Sequence, residues 1–299
     1  MNAKYLINAT LVALSLASGL SFAADSSEDE DMIITSKPHR LPRLMTLQTS
    51  EVLESYGVGF AGSGNIHSAL NGSRDALKGA VYLGLGDVAE LGYDMEMIRM
   101  QDVTPDRRMK GHIKLQPVAE GRYMPAFAVT YGTNLNNDVE IGSATPFGLQ
   151  RQSWLLGASK SLSFGAYRVS VHPALGMNVD EITRVGDVNA TKGRSSQQMF
   201  GQVGATWQTV DNTMFMFESK MVSILDTNVT VNQAQKYTYG YENNLGVRFY
   251  LRNWLFLDAG IVSMYEPRIN SIDTGIHANI SGLIPLKSIG ERIWGNSKS

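Results

Sequence analysis

The 299-residue chain contains no cysteine, so neither disulfides nor thiolate metal sites contribute to it. Its net charge is only −2, which excludes a broad nucleic-acid-binding surface. Charged residues make up 18%, below the usual quarter. Its five histidines are scattered with no H-x-x-x-H spacing, so no metal or cofactor is expected. Beyond the first two dozen residues no apolar run approaches the roughly 20 residues of a membrane helix. A membrane protein built of strands is not excluded by that shortage, because its signal per segment is much weaker.

What the chain does have begins with MNAKYLINATLVALSLASGLSFA. Lys4, an apolar run from about Leu6 to Ala17, and small residues at Ser21 and Ala23 form a secretory signal, with cleavage expected after Ala23. Residues 24–50 follow as an N-terminal segment on the periplasmic side. It carries the acidic run Glu28 to Asp31, and Pro38 and Pro42 argue against a regular element. Residues 51–286 form one alternating domain, and 287–299 a short tail.

The alternation is clear in VYLGLGDVAELGYDMEM, residues 81–97. Glu90, Asp94 and Glu96 share one face of a strand, and Leu91, Tyr93, Met95 and Met97 share the other. Gly86–Asp87 marks a tight turn before them. In AYRVSVHPALGMN, residues 166–178, Tyr167, Val169, Val171, Leu175 and Met177 oppose Arg168, Ser170, His172, Ala174 and Asn178. Twelve such segments are predicted: 56–68, 78–86, 88–99, 110–119, 122–132, 151–162, 166–178, 197–208, 213–224, 239–250, 254–265 and 274–284. Under this assignment short and long connections alternate, and an even strand count puts both termini at the short-turn end. The predicted fold is all-β: a transmembrane antiparallel β-barrel of about 12 strands, with short periplasmic turns and longer extracellular loops. Backbone groups in hydrocarbon must all be paired, which a closed barrel achieves, so the greasy faces point to lipid and the charges point inward. Tyr123, Tyr167, Trp207, Phe215, Phe249 and Trp254 then lie near the periplasmic end. Tyr131, Trp154, Tyr239, Tyr241 and Tyr265 lie near the other, as two interfacial belts.

The hairpin GLGDVAELGYDM resembles one that recurs in Gram-negative outer-membrane β-barrel proteins, through Gly84, Leu85, Asp87, Glu90, Leu91 and Gly92. The segment Asp273 to Leu286 resembles the terminal strand that barrel-insertion machinery recognises, although the chain continues past it through PLKSIGERIWGNSKS. The resemblance implies an outer-membrane location, with lipid and that machinery as partners, and names no activity. Solute identity and oligomeric state carry no sequence signature.

The residues expected to line the lumen are Glu90, Asp94, Glu96, Lys114, Arg122, Arg168, His172, Glu218, Lys220, Glu242, Arg248, Asp258 and His277. Their nearly balanced signs fit either a structural envelope protein, its lumen plugged by ion pairs or by residues 24–50, or a porin-like channel for small polar solutes, its lumen open. A barrel hydrolase, lipase or protease, is the rival reading. His172 with Ser170, and His277 with Ser281, share inward faces, but even two residues along a strand separate side chains by roughly 7 Å. A catalytic pair would therefore need a partner from a neighbouring strand. A soluble secreted β-barrel binder is the third reading; it requires the apolar faces inside, short loops at both ends and no aromatic belts. The polar loop 132–150 is compatible with a constriction or a surface loop.

Overall fold

The structure is a computed structural model that describes residues 43–53, 57–68, 74–100, 106–135, 138–139, 147–164, 167–184, 194–210, 212–225, 237–252, 254–267 and 270–285. The segment expected to be a signal peptide, the acidic run, residues 136–137 and 140–146 of the 132–150 loop, and the C-terminal tail lie outside these residues. The strands are β1 (Gly57–Ser68), β2 (Arg74–Leu85), β3 (Ala89–Met100), β4 (Asp106–Val118), β5 (Ala126–Asn134), β6 (Asp138–Val139), β7 (Phe147–Phe164), β8 (Tyr167–Arg184), β9 (Arg194–Val210), β10 (Thr213–Leu225), β11 (Tyr237–Arg252), β12 (Leu255–Glu266) and β13 (Ser271–Pro285). All neighbours pair antiparallel in chain order. β5 pairs directly with β7, bypassing the two-residue β6, and β1 pairs with β13 from Gly57↔Pro285 to Ser68↔Thr274. Twelve strands therefore close into a transmembrane-type barrel with no free edge, and 274–284 lies within the closing strand.

The faces sort as the alternation requires. Glu90 is 1% exposed, whereas Leu91, Tyr93 and Met95 are each 39% exposed. Val81, Leu156, Leu245, Ile261 and Ile276 extend this apolar outer surface around the ring. So much exposed hydrophobic area is foreign to a soluble monomer, and it overturns the soluble binder, whose apolar faces would have to point inward. At the short-turn end Tyr167, Trp207 and Phe215 form a row, with ring centroids 6.2 and 5.8 Å apart. Toward the other end Tyr131 packs on Trp154 at 4.7 Å. Gly86 and Asp87 both take positive φ (64° and 59°), which lets β2 reverse into β3 within one tight turn.

Three expectations need correcting. The connection predicted at 119–121 runs over 119–125, because Glu120 and the carbonyls of Gly121 and Arg122 fold back onto β7. Lys160 Nζ donates to both carbonyls (2.6 and 2.8 Å), and the Ser161 amide donates to Glu120 (2.7 Å). Arg122 consequently leaves the wall; it stands exposed beside Tyr123, its guanidinium 5.3 Å from that ring. Finally, several strands outrun their predicted ends. β7 and β8 reach 18 residues, well beyond the roughly 9–11 that cross a bilayer. Past the hydrocarbon both faces meet water, so the apolar–polar contrast fades while backbone pairing continues. That extension shortens outer connections such as 69–73 and 267–270, and the strict short–long alternation fails against 119–125.

Candidate functional site: the lumen and the segment inside it

Residues 43–53, RLMTLQTSEVL, precede the first strand and lie inside the barrel. They join no strand ladder; their one bridge is internal, Arg43 with Gln48, around a turn in which the Leu44 amide donates to the Leu47 carbonyl (2.9 Å). Their apolar side chains are nevertheless buried: Leu44, Leu47, Val52 and Leu53 are all at or below 2% exposure. Space for them comes from glycines on the inward faces of distant strands. A Cβ on Gly204 would stand 2.5 Å from Leu44 Cδ1, and one on Gly246 or Gly260 would meet the end of Met45 at 2.3 or 2.5 Å. Leu44 and Met45 also pack with Met214, Met216 and Tyr250.

The polar groups of the segment are held around the bore. Thr46 donates from its amide to Glu218 (3.0 Å to Oε1) and from its hydroxyl to Glu218 Oε2 (2.7 Å), while Asn244 Nδ2 donates to Thr46 Oγ1 (2.9 Å). The Ser50 amide donates to Ser159 Oγ (3.0 Å) and the Leu53 amide to Glu90 Oε2 (3.1 Å). Lys114 Nζ donates to the Glu51 carbonyl (2.9 Å) and lies 3.3 Å from Glu90 Oε1. Arg43 pairs with Asp94 (2.9 Å) and stacks 5.0 Å above the Tyr82 ring. The segment thus touches β2, β3, β4, β7, β10 and β11, and it crosses the lumen.

The other charges pair along the wall. Arg248 grips Asp258 with two bonds (2.6 and 2.8 Å), both residues being almost fully buried, and Lys220 pairs with Glu242 at 2.8 Å. Glu96 pairs with Lys78 (3.0 Å), and Arg168 stands half-buried near the short-turn end. His277 Nδ1 meets Asn65 Oδ1. Of the thirteen residues expected in the lumen, twelve stand on inward faces, and Arg122 is the exception.

Several participants were not singled out in the sequence. Lys110 and His112 lie on the same face of β4 as Lys114. Buried His112 lies with Nδ1 3.1 Å from Asp94 and Nε2 3.6 Å from Glu90, its ring in the space left by Gly92. Their alternation with Gly111 and Ile113 was available as a signal. Arg43 and Glu51 carried none, because the segment around them has no period.

Neither histidine pair proposed for catalysis forms along its own strand. His172 instead meets Ser159 Oγ across the strand pair, at 2.8 Å from Nδ1, and no partner reaches its Nε2 among the described residues. Both groups are buried beneath Ser50, whose amide donates to the same Ser159 oxygen. No three His, Asp or Glu side chains among the described residues are placed to hold a metal ion.

Beyond segment 43–53, a cavity of about 310 Å³ remains, lined by Arg43, Lys78, Asp94, Glu96, Arg108, Lys110, Arg151 and neighbours. No protein-family model matches the chain, and no curated protein matches its sequence. Among solved structures, an outer-membrane channel from Pseudomonas putida F1 is similar, with a TM-score of 0.52 at 7% identity over 79% of this chain and 98% of that one. The NanC porin is similar with a TM-score of 0.50 at 10% identity, over 75% of this chain and 98% of the porin. At such identities the likeness is one of fold, and the fold is that of the outer-membrane β-barrels.

Proposed function

We propose that this chain is an outer-membrane channel for small polar solutes whose bore is occupied, in the state described, by its own residues 43–53. One observation carries the reading. The segment in the bore is docked against the wall rather than woven into it, through side-chain contacts and hydrogen bonds that water can replace, and charged space remains beside it. A filled bore by itself suits a structural barrel, so it is the charged space left beside the segment that favours a channel. The apolar outer surface supports placement in the outer membrane, and the register of β13 with β1 supports assembly by the barrel-insertion machinery, which would close the ring at that seam. The hydrolase reading has the Ser159–His172 contact in its favour. Against it stand the burial of that pair under segment 43–53 and, among the described residues, the lack of a carboxylate on His172.

The test is single-channel conductance in planar bilayers. The mature chain is compared with a form lacking residues 24–53, with heat-modifiable gel mobility as the folding control. The mature chain is expected to conduct rarely, and the shortened one in steady steps. A folded, inserted, shortened barrel that never conducts would overturn the channel reading and favour a structural role.

A further inference from the structure

The cavity beside segment 43–53 is uneven in charge. Its wall carries Arg43, Lys78, Arg108, Lys110, Arg151 and Arg248 against Asp94 and Glu96. Two of these cations are engaged by acids behind the wall: Arg151 by Asp180 (2.7 Å) and Arg248 by Asp258 (2.6 Å). Counting those acids too leaves six positive charges against four negative, an excess of two. The acids on the wall are already divided. Strand register sets Glu96 between Lys78 and Arg108, and Asp94 faces both Arg43 and His112. Lys110 stands opposite the same Asp94 in the strand register, but among the described residues its ammonium makes no hydrogen bond or close ion pair, so this acid is shared by three basic side chains. Gly132 across the strand pair makes room for it: a Cβ there would lie 2.6 Å from Lys110 Cε and 3.1 Å from Ser153 Oγ. The Lys110 ammonium therefore stands on the cavity wall, with Arg108 one inward position away along β4.

We infer that this wall is a binding site for a small organic anion, a carboxylate or a phosphate ester. The inference deepens the channel reading by naming its solute class. An excess of two positive charges inside a narrow, low-dielectric bore focuses potential on an entering anion. Lysine supplies a point charge and arginine a planar fork, the two donor types that oxyanions accept from most strongly. A cavity of about 310 Å³ admits a metabolite-sized anion and excludes a polymer.

The mature chain, folded in detergent micelles, is titrated calorimetrically with succinate, with glycerol 3-phosphate and with uncharged erythritol. Saturable binding of either anion without binding of erythritol is the expected result, and the two anion arms separate carboxylate from phosphate recognition. Lys110→Gln and Arg108→Gln should each weaken the bound anion about tenfold, the worth of one charge-assisted contact. Arg122→Gln, in the exposed 119–125 connection, should leave it unchanged. Channels that conduct but bind neither anion overturn the inference and leave the channel standing. So does a folded Lys110→Gln protein that binds as tightly as the parent. Binding that persists in a barrel that never conducts upholds the site and overturns only the channel.

Discussion

Glu218 is the strongest single anchor of the segment inside the bore, and replacing it gives the sharpest test of docking. Its carboxylate is 1% exposed and accepts from the Thr46 amide at 3.0 Å, the Thr46 hydroxyl at 2.7 Å and, more weakly, the Leu47 amide at 3.4 Å. A hydrogen bond to a charged acceptor contributes about 1.5–3 kcal/mol, against about 0.5–1.5 kcal/mol for a neutral one. Glu218→Gln keeps the shape and loses the charge across two good bonds, a difference of about 2 kcal/mol. That corresponds to roughly a thirtyfold rise in the undocked population. The easier desolvation of an amide than of a carboxylate reduces this figure. Glu218→Ala removes the acceptor altogether, leaving two backbone N–H groups of the segment without it, and should undock the segment further. The lack of any native cysteine supplies the assay. Ser50→Cys places one thiol at a position 1% exposed, within the segment. Where reclosing outpaces labelling, the rate of modification by a small water-soluble thiol reagent follows the open population. Labelling should accelerate in the order parent, Glu218→Gln, Glu218→Ala. Equal rates in the parent and the alanine variant, both folded by gel mobility, would refute the assignment of Glu218 as the anchor.

Two further predictions address the barrel itself. Ile261→Arg, at a 53%-exposed position midway along β12, should cost about 2–4 kcal/mol in urea-monitored folding into lipid vesicles, the penalty for a cation facing hydrocarbon; a change within about 0.5 kcal/mol, normal for a water-exposed site, would contradict the lipid-facing assignment. Asp258→Ala should cost about 3–5 kcal/mol by stranding buried Arg248, whereas the double change Arg248→Met with Asp258→Leu should restore most of that loss in the same assay. A double variant as unstable as the single one would show that packing, not the uncompensated charge, sets the cost.

Much of this molecule was legible as period two. Because strand side chains alternate strictly, the parity of Glu90 or Arg248 against its apolar neighbours sufficed to place it on the inward face once a closed barrel was inferred. Parity failed for Arg122, since it applies only within a strand, and the strand there starts at Ala126. It also faded at the outer ends of β7 and β8, where water on both sides removes the apolar contrast that reveals it. Inward glycines at 204, 246 and 260 were a quieter signal: glycine inside a strand marks close approach by something else, without saying by what.

The sequence by itself therefore determined the twelve barrel strands and which face of each carries the charges, because both follow from local alternation and from the requirement that backbone in lipid be paired. The tertiary structure alone decided that residues 43–53 lie in the bore, that Glu218 and Glu90 receive their amides, and that Ser159 meets His172. Those contacts join residues far apart in the chain, 172 positions from Thr46 to Glu218 and 198 from Thr46 to Asn244. They depend on shape, Leu44 and Met45 fitting where wall glycines leave room, and a fit between remote surfaces has no period to read along the chain.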